Sequence, residues 1–257
     1  MIADRELQFW QALATLPWPR RVGVAHRIFR RIYLRRNRPQ IVSWVDDLRL
    51  TLDPQEHVDG LWLFTPDHVD AKERAFLFDD LPTGGVFIDL GAYIGTYALL
   101  AGKKLGPSGT VLAVEPHPDT FQRLWAHIQE NSLPHVIPVQ VAVSDSPGKT
   151  PLGSGVPGNR AARSTLDPKG TLEVVALPLI EVLNKHDITH ISALKADLEG
   201  MEFRVFSHFF ANAPRTLHPQ RIVFEMDPPV PGLIDLFERH GYRVSRLSRL
   251  NFGAERE

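Results

Sequence analysis

The sequence contains no cysteine among its 257 residues. Structural disulfides and metal sites built from thiolates are therefore excluded. Long hydrophobic runs are also missing, and without about 18 consecutive apolar residues no helix is predicted to span a bilayer. The N-terminus lacks the basic and then apolar order of a signal peptide. Together these absences predict a soluble, cytoplasmic protein.

An excess of charge of one sign is absent too, since 29 basic residues face 30 acidic ones. The overall charge therefore gives no argument for nucleic-acid binding. The basic charge is uneven, because residues 20–38 contain eight arginines and no acid. We interpret residues 20–36 as an amphipathic helix that packs on the main domain with a solvated arginine face. Peripheral attachment of this segment to an anionic membrane or an acidic partner is the less favoured alternative.

From residue 86 onwards, short apolar runs alternate strictly with stretches of helical periodicity. This alternation predicts an α/β fold with a doubly wound, mostly parallel sheet, of the Rossmann-like kind. We expect residues 81–257 to form the ligand-binding domain and residues 1–80 to form an N-terminal extension or cap of helices and short strands. Residues 146–170 are rich in Gly, Pro and Ser, and we expect a loop that is mobile or contacts the substrate.

The periodicity also predicts the individual elements. In the extension we expect helices over 3–16 and 20–36, one or two strands over 41–52, a short strand over 61–64 and a helix over 68–81. The predicted core strands cover 86–90, 110–114, 136–143, 172–177, 191–196, 221–226 and 242–247. The predicted core helices cover 94–105, 118–131, 178–186, 200–211 and 231–240.

The stretch Val86–Gly95 is the centre of the candidate site. An apolar strand runs into Asp89, and Gly91 and Gly95 follow within the next turn. Glycine at such positions permits a tight turn, close approach of a ligand to the backbone and close packing of the next helix. Because open α/β sheets bind ligands at the carboxyl ends of their strands, we expect a ligand here.

Glu115 ends the next predicted strand, about 20 residues beyond the glycine turn. A carboxylate in this place accepts hydrogen bonds from the two hydroxyls of a ribose, which predicts a nucleoside or nucleotide ligand. The glycine spacing differs from the G-x-G-x-x-G of dinucleotide sites. Asp89 would repel a pyrophosphate but suits a cation, which favours S-adenosylmethionine over NAD. A nicotinamide-dependent oxidoreductase is the alternative.

Four segments carry a family resemblance: Val86–Gly95, Val114–Pro118, Ala142–Asp145 and Leu194–Glu202. Together they resemble the FkbM family of S-adenosylmethionine-dependent methyltransferases, over about residues 70–227. The resemblance implies a class I methyltransferase fold, with a seven-stranded sheet whose last strand is antiparallel. It also implies an O-methyltransferase that acts on a hydroxyl of a sugar or another small molecule.

The resemblance assigns roles to single residues. It implies a set that binds or lines the methionine part of the cofactor: Asp89, Gly91, Ala92, Tyr93 and Gly95. It implies a second set around the adenosine part: Glu115, Pro116, His117, Ala142 and Val143. In the second set Glu115 would hold the ribose and the others would flank the adenine, with Asp145 nearby. Asp197 would lie near the transferred methyl group.

This chain departs from the family pattern in two places. Tyr93 stands where the family usually has Asn, which we expect to adjust a cofactor contact. The chain also ends soon after the last predicted core strand, 242–247, which leaves open whether the final hairpin of the sheet is complete.

Methyl transfer to a hydroxyl needs a base, because an alcohol is a poor nucleophile at neutral pH. The candidates are Asp197, Glu199 and Glu202, of which we favour Asp197 or Glu199 as the catalytic residue. For Glu202, a structural role in the first turn of a helix is an equal alternative. We expect Lys195 to orient a carboxylate or to contact the substrate. A Mg²⁺ ion held by carboxylates at the fourth and fifth strand ends, Asp197 and Asp227 (or Glu225), is possible but not favoured.

The methyl acceptor cannot be identified from the residues alone. The resemblance points to a small-molecule or glycan acceptor rather than nucleic acid. A nucleic-acid-associated methyltransferase that uses the basic residues 20–38 is the alternative, and the oligomeric state is left open.

Overall fold

The computed structural model describes residues 40–43, 45–153, 170–226 and 230–257. The predicted helices over 3–16 and 20–36, and most of the predicted loop 146–170, lie outside these residues. The described residues fall into two compact units, one with residues 40–69 and one with the described residues from 70 onwards. The helix predicted over 68–81, which we placed in the N-terminal extension, belongs mainly to the second unit. Within these ranges no helix is long and apolar enough to cross a membrane.

The first unit contains a strand pair followed by a helix. Strand β1 (Gln40–Ser43) pairs antiparallel with β2 (Arg49–Leu52), as the alternating sequence predicted. The strand predicted over 61–64 is wrong, because these residues end helix α1 (His57–Phe64). Hydrogen bonds of Asp53 stabilise the start of this helix. Its backbone N–H donates to the carboxylate of Asp59 at 2.8 Å, and its own carboxylate accepts from the backbone N–H of Gln55 at 3.0 Å. A short apolar run alone cannot distinguish a strand from a buried helical turn.

The second unit alternates strands and helices as predicted. Its strands are β3 (Val86–Leu90), β4 (Thr110–Val114), β5 (Val136–Val139), β6 (Ala142–Ser144), β7 (Gly148–Leu152), β8 (Leu172–Pro178), β9 (Ala193–Ala196), β10 (Arg221–Glu225), β11 (Tyr242–Arg246) and β12 (Asn251–Arg256). Its helices are α2 (Ala71–Phe78), α3 (Thr96–Leu105), α4 (Pro118–Glu130), α5 (Leu179–Lys185), α6 (Glu202–Asn212) and α7 (Leu233–Arg239).

Seven of the described strands form the central sheet, in the order β11-β12-β10-β9-β3-β4-β5. Strands β3, β4, β5, β9 and β10 are parallel, and β12 runs antiparallel between β10 and β11. This topology confirms the mostly parallel α/β fold and the antiparallel last strand. It also answers the question about the final hairpin, since β11 and β12 pair over five positions.

The remaining strands correct two predictions. The single strand expected over 136–143 is split, because β5 joins the central sheet whereas β6 pairs with β8 in a separate three-stranded sheet. The break falls at the turn in which the N–H of Val141 donates to the carbonyl of Val139 at 3.2 Å. Strand β7 lies in the segment predicted as a loop and pairs antiparallel with β8.

Aromatic side chains form much of the core beside β9 and β10. Phe206, Phe209 and Phe210 lie on one face of α6, at the spacing that puts residues on the same side of a helix. Phe206 and Phe210 contact Phe237 of α7, with ring centroids 4.9 and 5.7 Å apart. This packing fixes α6 and α7 against the sheet and so holds the loops that begin at the ends of β9 and β10.

Candidate functional site

The candidate site lies where the strand order reverses, between β3 and β9. The chain moves outward from β3 to β4 and β5, and returns to β9 and β10 on the other side of β3. At such a point the loops leave the sheet in opposite directions and open a crevice at the carboxyl ends of the strands. An open cleft of about 350 Å³, a volume that includes solvent at its mouth, is found there. Its lining residues are Gly91, Val114, Pro116, Val141, Ala142, Val143, Asp197, Leu198 and Met201.

Five predicted site residues line this cleft: Gly91, Pro116, Ala142, Val143 and Asp197. Four apolar lining residues were not among the predicted site residues: Val114, Val141, Leu198 and Met201. Apolar residues of this kind carry no chemical signal of their own. Three of these residues nevertheless lie next to or inside segments that were singled out. Val114 directly precedes Glu115, and Leu198 and Met201 fall inside the segment Leu194–Glu202.

The glycine turn depends on Gly91 for a steric reason. Gly91 has a positive φ of 74°, and a Cβ atom there would collide with the carbonyl oxygen of Asp197. The backbone N–H groups of Gly91 and Ala92 both donate to the carbonyl of Val114, at 3.0 and 2.9 Å. The turn is thus fixed to the end of β4 on one side and pressed against the end of β9 on the other.

Glu115 is fixed by donors from two elements. Its carboxylate, which is only 1 % exposed, accepts from the N–H of Tyr93 at 2.9 Å, the N–H of His117 at 2.9 Å and the hydroxyl of Thr120 at 2.8 Å. Tyr93 adopts a φ of 51°, which is costly for a bulky side chain. Its hydrogen bond to Glu115 compensates for this strain, and strained residues of this type concentrate at functional sites.

Asp89 is the least satisfied charge in the site. Its side chain is 1 % exposed, and neither carboxylate oxygen has a hydrogen bond of normal geometry within the described part of the chain. Burial raises the pKa of Asp89 to about 6, although the charge of Lys195 opposes this shift. An ionised carboxylate without hydrogen bonds is expensive to bury, so a cationic ligand would stabilise it.

Lys195 joins the glycine turn to Asp197. Its ammonium group donates to the carbonyl of Gly91 at 3.3 Å and to Oδ2 of Asp197 at 3.2 Å. It is also the neighbour of Asp89 across the β3–β9 pair. Burial lowers the pKa of Lys195, but the charges of Asp197 and Asp89 outweigh burial and place it well above its ordinary value. Lys195 therefore remains a cation.

Asp197 has a second carboxyl neighbour that the sequence analysis did not place in the catalytic set. The β9–β10 register pairs Ala196 with Phe224, so Asp197 and Glu225 leave adjacent strands side by side. Burial, together with the negative charge of the neighbouring Asp197, raises the pKa of Glu225 to about 8. Glu225 is thus largely protonated near neutral pH and lies beside Asp197. The other predicted catalytic residue, Glu199, is exposed and has a φ of 53°.

Four further predicted residues have structural contacts. Oε1 of Glu202 accepts from the N–H of Leu198 at 2.7 Å, which favours the structural alternative for this residue. His117 caps α4 by accepting from the N–H of Asp119 through Nδ1 at 3.2 Å. Asp145 forms a two-pronged ion pair with Arg204, at 2.9 and 3.0 Å. Gly95 begins α3 with a φ of 92° and lies against Leu124.

Asp227, the fifth-strand carboxylate considered for Mg²⁺, lies outside the described residues. Among the residues that are described, no group of three or more acids or histidines is arranged to hold a metal ion.

Comparison with known proteins places this site in a family context. The family profile described as the methyltransferase FkbM domain matches residues 89–244, which include both the glycine turn and Asp197. One curated relative is the hexuronic acid methyltransferase AglP of Haloferax volcanii, 26% identical over 152 residues. The alignment covers 58% of this chain and 60% of the relative, so the chain matches less than two thirds of the relative's length.

Two solved structures illustrate the structural likeness. The methyltransferase FkbM from Methylobacillus flagellatus KT aligns with a TM-score of 0.43 and 14% identity, covering 67% of this chain and 44% of that one. Aeropyrum pernix fibrillarin, solved with natively bound S-adenosyl-L-methionine, aligns with a TM-score of 0.43 and 15% identity, covering 68% of this chain and 67% of that one.

Proposed function

Because the chain belongs to the FkbM methyltransferase family, we propose that it transfers a methyl group from S-adenosylmethionine to a hydroxyl oxygen of a sugar or another small molecule. The acceptor class draws support from the relative whose name describes a methyltransferase of hexuronic acids. A hydroxyl of a uronic acid, within a glycan or a small glycoside, is therefore the first acceptor to test.

Asp89 is the observation that carries the proposal. A buried carboxylate without a hydrogen bond of normal geometry to the described residues lies two residues before Gly91, which lines a cleft at the topological switch point. S-adenosylmethionine has an ammonium and a sulfonium group and no phosphate, so its charge complements Asp89. A pyrophosphate-containing cofactor would add negative charge to a site that already contains Asp89, Asp197 and Glu225. Like charges disfavour one another most where water is excluded.

The adenosine part has a separate binding region in the proposal. Glu115 is already oriented by Tyr93, His117 and Thr120, and a carboxylate at the end of the second core strand is suited to ribose hydroxyls. The cleft beyond it is lined mainly by apolar residues, among them Val114, Ala142 and Val143, which suit a planar base.

The bound cofactor would supply an electrophilic methyl group, which leaves its sulfur as the acceptor oxygen bonds to carbon, so that the sulfonium becomes a neutral thioether. The residues of this chain must hold the acceptor in line and take up the hydroxyl proton. We assign the proton to the carboxylate of Asp197. Asp197 lines the cleft and is held by Lys195, whereas Glu199 is exposed and does not line it.

Two measurements on the full chain test this function. Calorimetry is expected to show binding of S-adenosylmethionine in the micromolar range and much weaker binding of NAD. Transfer of a labelled methyl group is then measured to uronic acid glycosides, to the matching neutral sugars and to RNA, with either Mg²⁺ or a chelator present. Tighter binding of NAD, or no transfer to any hydroxyl-bearing acceptor, would count against the proposal. The Asp89→Asn variant is the matched control, since it keeps the shape of the side chain and removes its charge.

A further inference from the structure

Lys195 connects three parts of the site that are distant in sequence. It lies in β9 with its side chain 14% exposed, which is unusual for a lysine. Its ammonium group contacts the carbonyl of Gly91, at the end of β3, and Oδ2 of Asp197, at the end of β9. Gly91 and Asp197 both line the cleft. The lysine therefore links the turn assigned to the cofactor with the carboxylate assigned to the proton.

A second pair of residues holds the lysine from the other side. The ammonium group lies 5.5 Å from the ring centroid of Tyr97, within the range of a cation–π contact. Tyr97 is 6 % exposed, and its hydroxyl donates to Oδ2 of Asp70 at 3.1 Å. Burial raises the pKa of Tyr97 well above its usual value, so the phenol keeps the proton it donates. The side chains thus form a chain of contacts from Asp70 through Tyr97 and Lys195 to Asp197.

We propose that Lys195 is a positioning residue for methyl transfer, which fixes Gly91 and Asp197 in one arrangement and is itself fixed by Tyr97 and Asp70. This inference rests on the proposed function, because it assigns a task to that reaction. Lys195 touches two groups that would contact the cofactor or the acceptor and acts through them. In-line transfer tolerates little displacement, so the orientation of Asp197 should affect the rate more than the binding.

If Lys195 had a purely structural role, its removal would affect stability and kcat differently. Buried ion pairs add little to stability on average, but removal of one partner leaves an uncompensated charge and destabilises the fold. A structural lysine would therefore lower the unfolding temperature and leave kcat of the folded fraction unchanged. A positioning lysine lowers kcat of folded enzyme at saturating cofactor and acceptor. The separation of kcat from the cofactor Kd distinguishes the two roles.

The experiment compares Lys195→Met with wild type at pH 8, which lies above the wild-type Asp89 pKa of about 6. We expect kcat to fall about 100-fold, while the Kd for S-adenosylmethionine changes less than about 5-fold. Lys195→Arg keeps the charge but changes its shape, and should recover part of the lost rate. Lys103→Met, an exposed lysine on α3, is the control for the substitution itself and should leave both quantities unchanged.

Two variants of Tyr97 test the same contacts without touching the lysine. Tyr97→Leu removes the ring and should lower kcat about 10-fold. Tyr97→Phe keeps the ring and removes only the hydroxyl bound to Asp70, so it should have the smaller effect. In a double-mutant cycle, adding Tyr97→Leu to Lys195→Met should cause little further loss, because both act through one ammonium group.

Several outcomes overturn the inference. It fails if folded Lys195→Met keeps more than about a third of the wild-type kcat, or if kcat and cofactor affinity fall in proportion. If Lys195→Met does not fold, Tyr97→Leu decides, and an unchanged kcat in that variant contradicts the proposal. Wild-type protein that transfers no methyl group refutes the proposed function and this inference with it. If the wild type is active and the Lys195 and Tyr97 variants keep its kcat, the inference is refuted and the proposed function stands.

Discussion

The charged groups at the two ends of the central sheet differ in how completely they are paired. At the carboxyl ends of β3, β9 and β10 lies an acid cluster, which consists of Asp89, Asp197, Glu225 and Lys195. At the amino end of β10 lies an arginine cluster, which consists of Arg221, Asp80, Glu255 and Arg243. Both clusters place several ionisable groups on neighbouring elements of one sheet, and they differ in how completely those groups satisfy one another.

In the arginine cluster each charged group has an opposite partner. Arg221 contacts Asp80 at 2.7 Å and Glu255 at 3.0 Å, and donates to the carbonyl of Phe76 at 3.3 Å. Arg243 contacts the other oxygen of Glu255 at 2.9 Å. Two cations thus balance two acids, and the contacts connect α2, β10, β11 and β12. This cluster stabilises the fold and leaves no charge that calls for a ligand.

The acid cluster is unbalanced, because three carboxyl groups surround one ammonium group. Asp89 has no hydrogen bond of normal geometry to the described residues, and Glu225 keeps its proton near neutral pH. Tyr93 and Glu199, on the loops beside it, have positive φ angles. Unpaired buried charge and local strain are both costs that a fold retains where a ligand or a reaction needs them. The contrast therefore separates a structural cluster from a functional one.

The largest effect is expected from Asp89→Ala. Loss of the carboxylate removes up to two charged hydrogen bonds to a cationic ligand, worth about 1.5–3 kcal/mol each, so cofactor affinity should fall by two to four orders of magnitude. The ligand-free protein should not lose stability, since the residue removed is not satisfied in the folded state. Calorimetry with S-adenosylmethionine and urea unfolding measure the two quantities. If Asp89→Ala bound S-adenosylmethionine with wild-type affinity, the acid cluster would not be a ligand-binding cluster and would not differ from the arginine cluster in this respect.

The pH dependence of stability tests the same carboxylate without a ligand. Its folded pKa of about 6 lies above the ordinary value of 3.8, so the folded state favours the protonated form. Asp89 therefore contributes stability that is complete below pH 3.8 and is lost as the pH rises through 6. Asp89→Asn cannot ionise, and should exceed wild type at pH 7 by up to about 3 kcal/mol, with the difference vanishing near pH 4.

Urea unfolding of both proteins between pH 4 and pH 8 measures this difference. A gap between the two proteins that does not change with pH would show that Asp89 is already satisfied in the folded state. The affinity for S-adenosylmethionine should move the opposite way, and weaken as the pH falls below about 6, because the ionised carboxylate binds the cation.

A smaller effect, of the opposite kind, is expected from Arg221→Met. Removal of the guanidinium leaves Asp80 and one oxygen of Glu255 without their partner, and should lower the free energy of unfolding by about 2 kcal/mol. Asp80 is largely exposed, which limits the loss. Cofactor affinity should remain within a factor of about two, because the cluster lies at the other end of the sheet. Arg249→Met, at an exposed position, is the control, and a large change in cofactor affinity would show that the two ends are coupled.

Much of the fold could be predicted because its signals are local. Helix α4 follows from its apolar periodicity and from the Pro118 start, and β3 from the apolar run that leads into Asp89. Strand β12 was missed because Asn251–Arg256 contains few apolar residues and a glycine. A distant residue crowds Gly253, since a Cβ there would approach the ring of Phe76 to 3.0 Å. Such a contact across the fold leaves no periodicity in the sequence.

The same limit applies to the candidate site. The acids at the strand ends, Asp89 and Glu115, could be placed because the carboxyl ends of parallel strands meet at one edge. It could not be predicted that Glu115 is fully hydrogen-bonded whereas Asp89 is not. The donors to Glu115 come from turns whose geometry cannot be read from the local sequence. The contacts of Lys195 with Tyr97, and of Tyr97 with Asp70, join residues on three different elements. Only the folded arrangement brings them together.

The smallest effect is expected from Arg204→Ala, which tests a charge pair at the rim of the cleft. Arg204 is 60% exposed, and its two-pronged pair with Asp145 links α6 to the end of β6. Exposed pairs contribute about 0–1 kcal/mol, so unfolding should change by less than that amount. Removal of the arginine frees Asp145 to accept from the amino group of an adenine, and cofactor affinity should rise slightly or stay constant. A Kd that weakens about tenfold or more would show that the pair holds the cleft in shape, and would place Arg204 with the acid cluster rather than among ordinary surface charges.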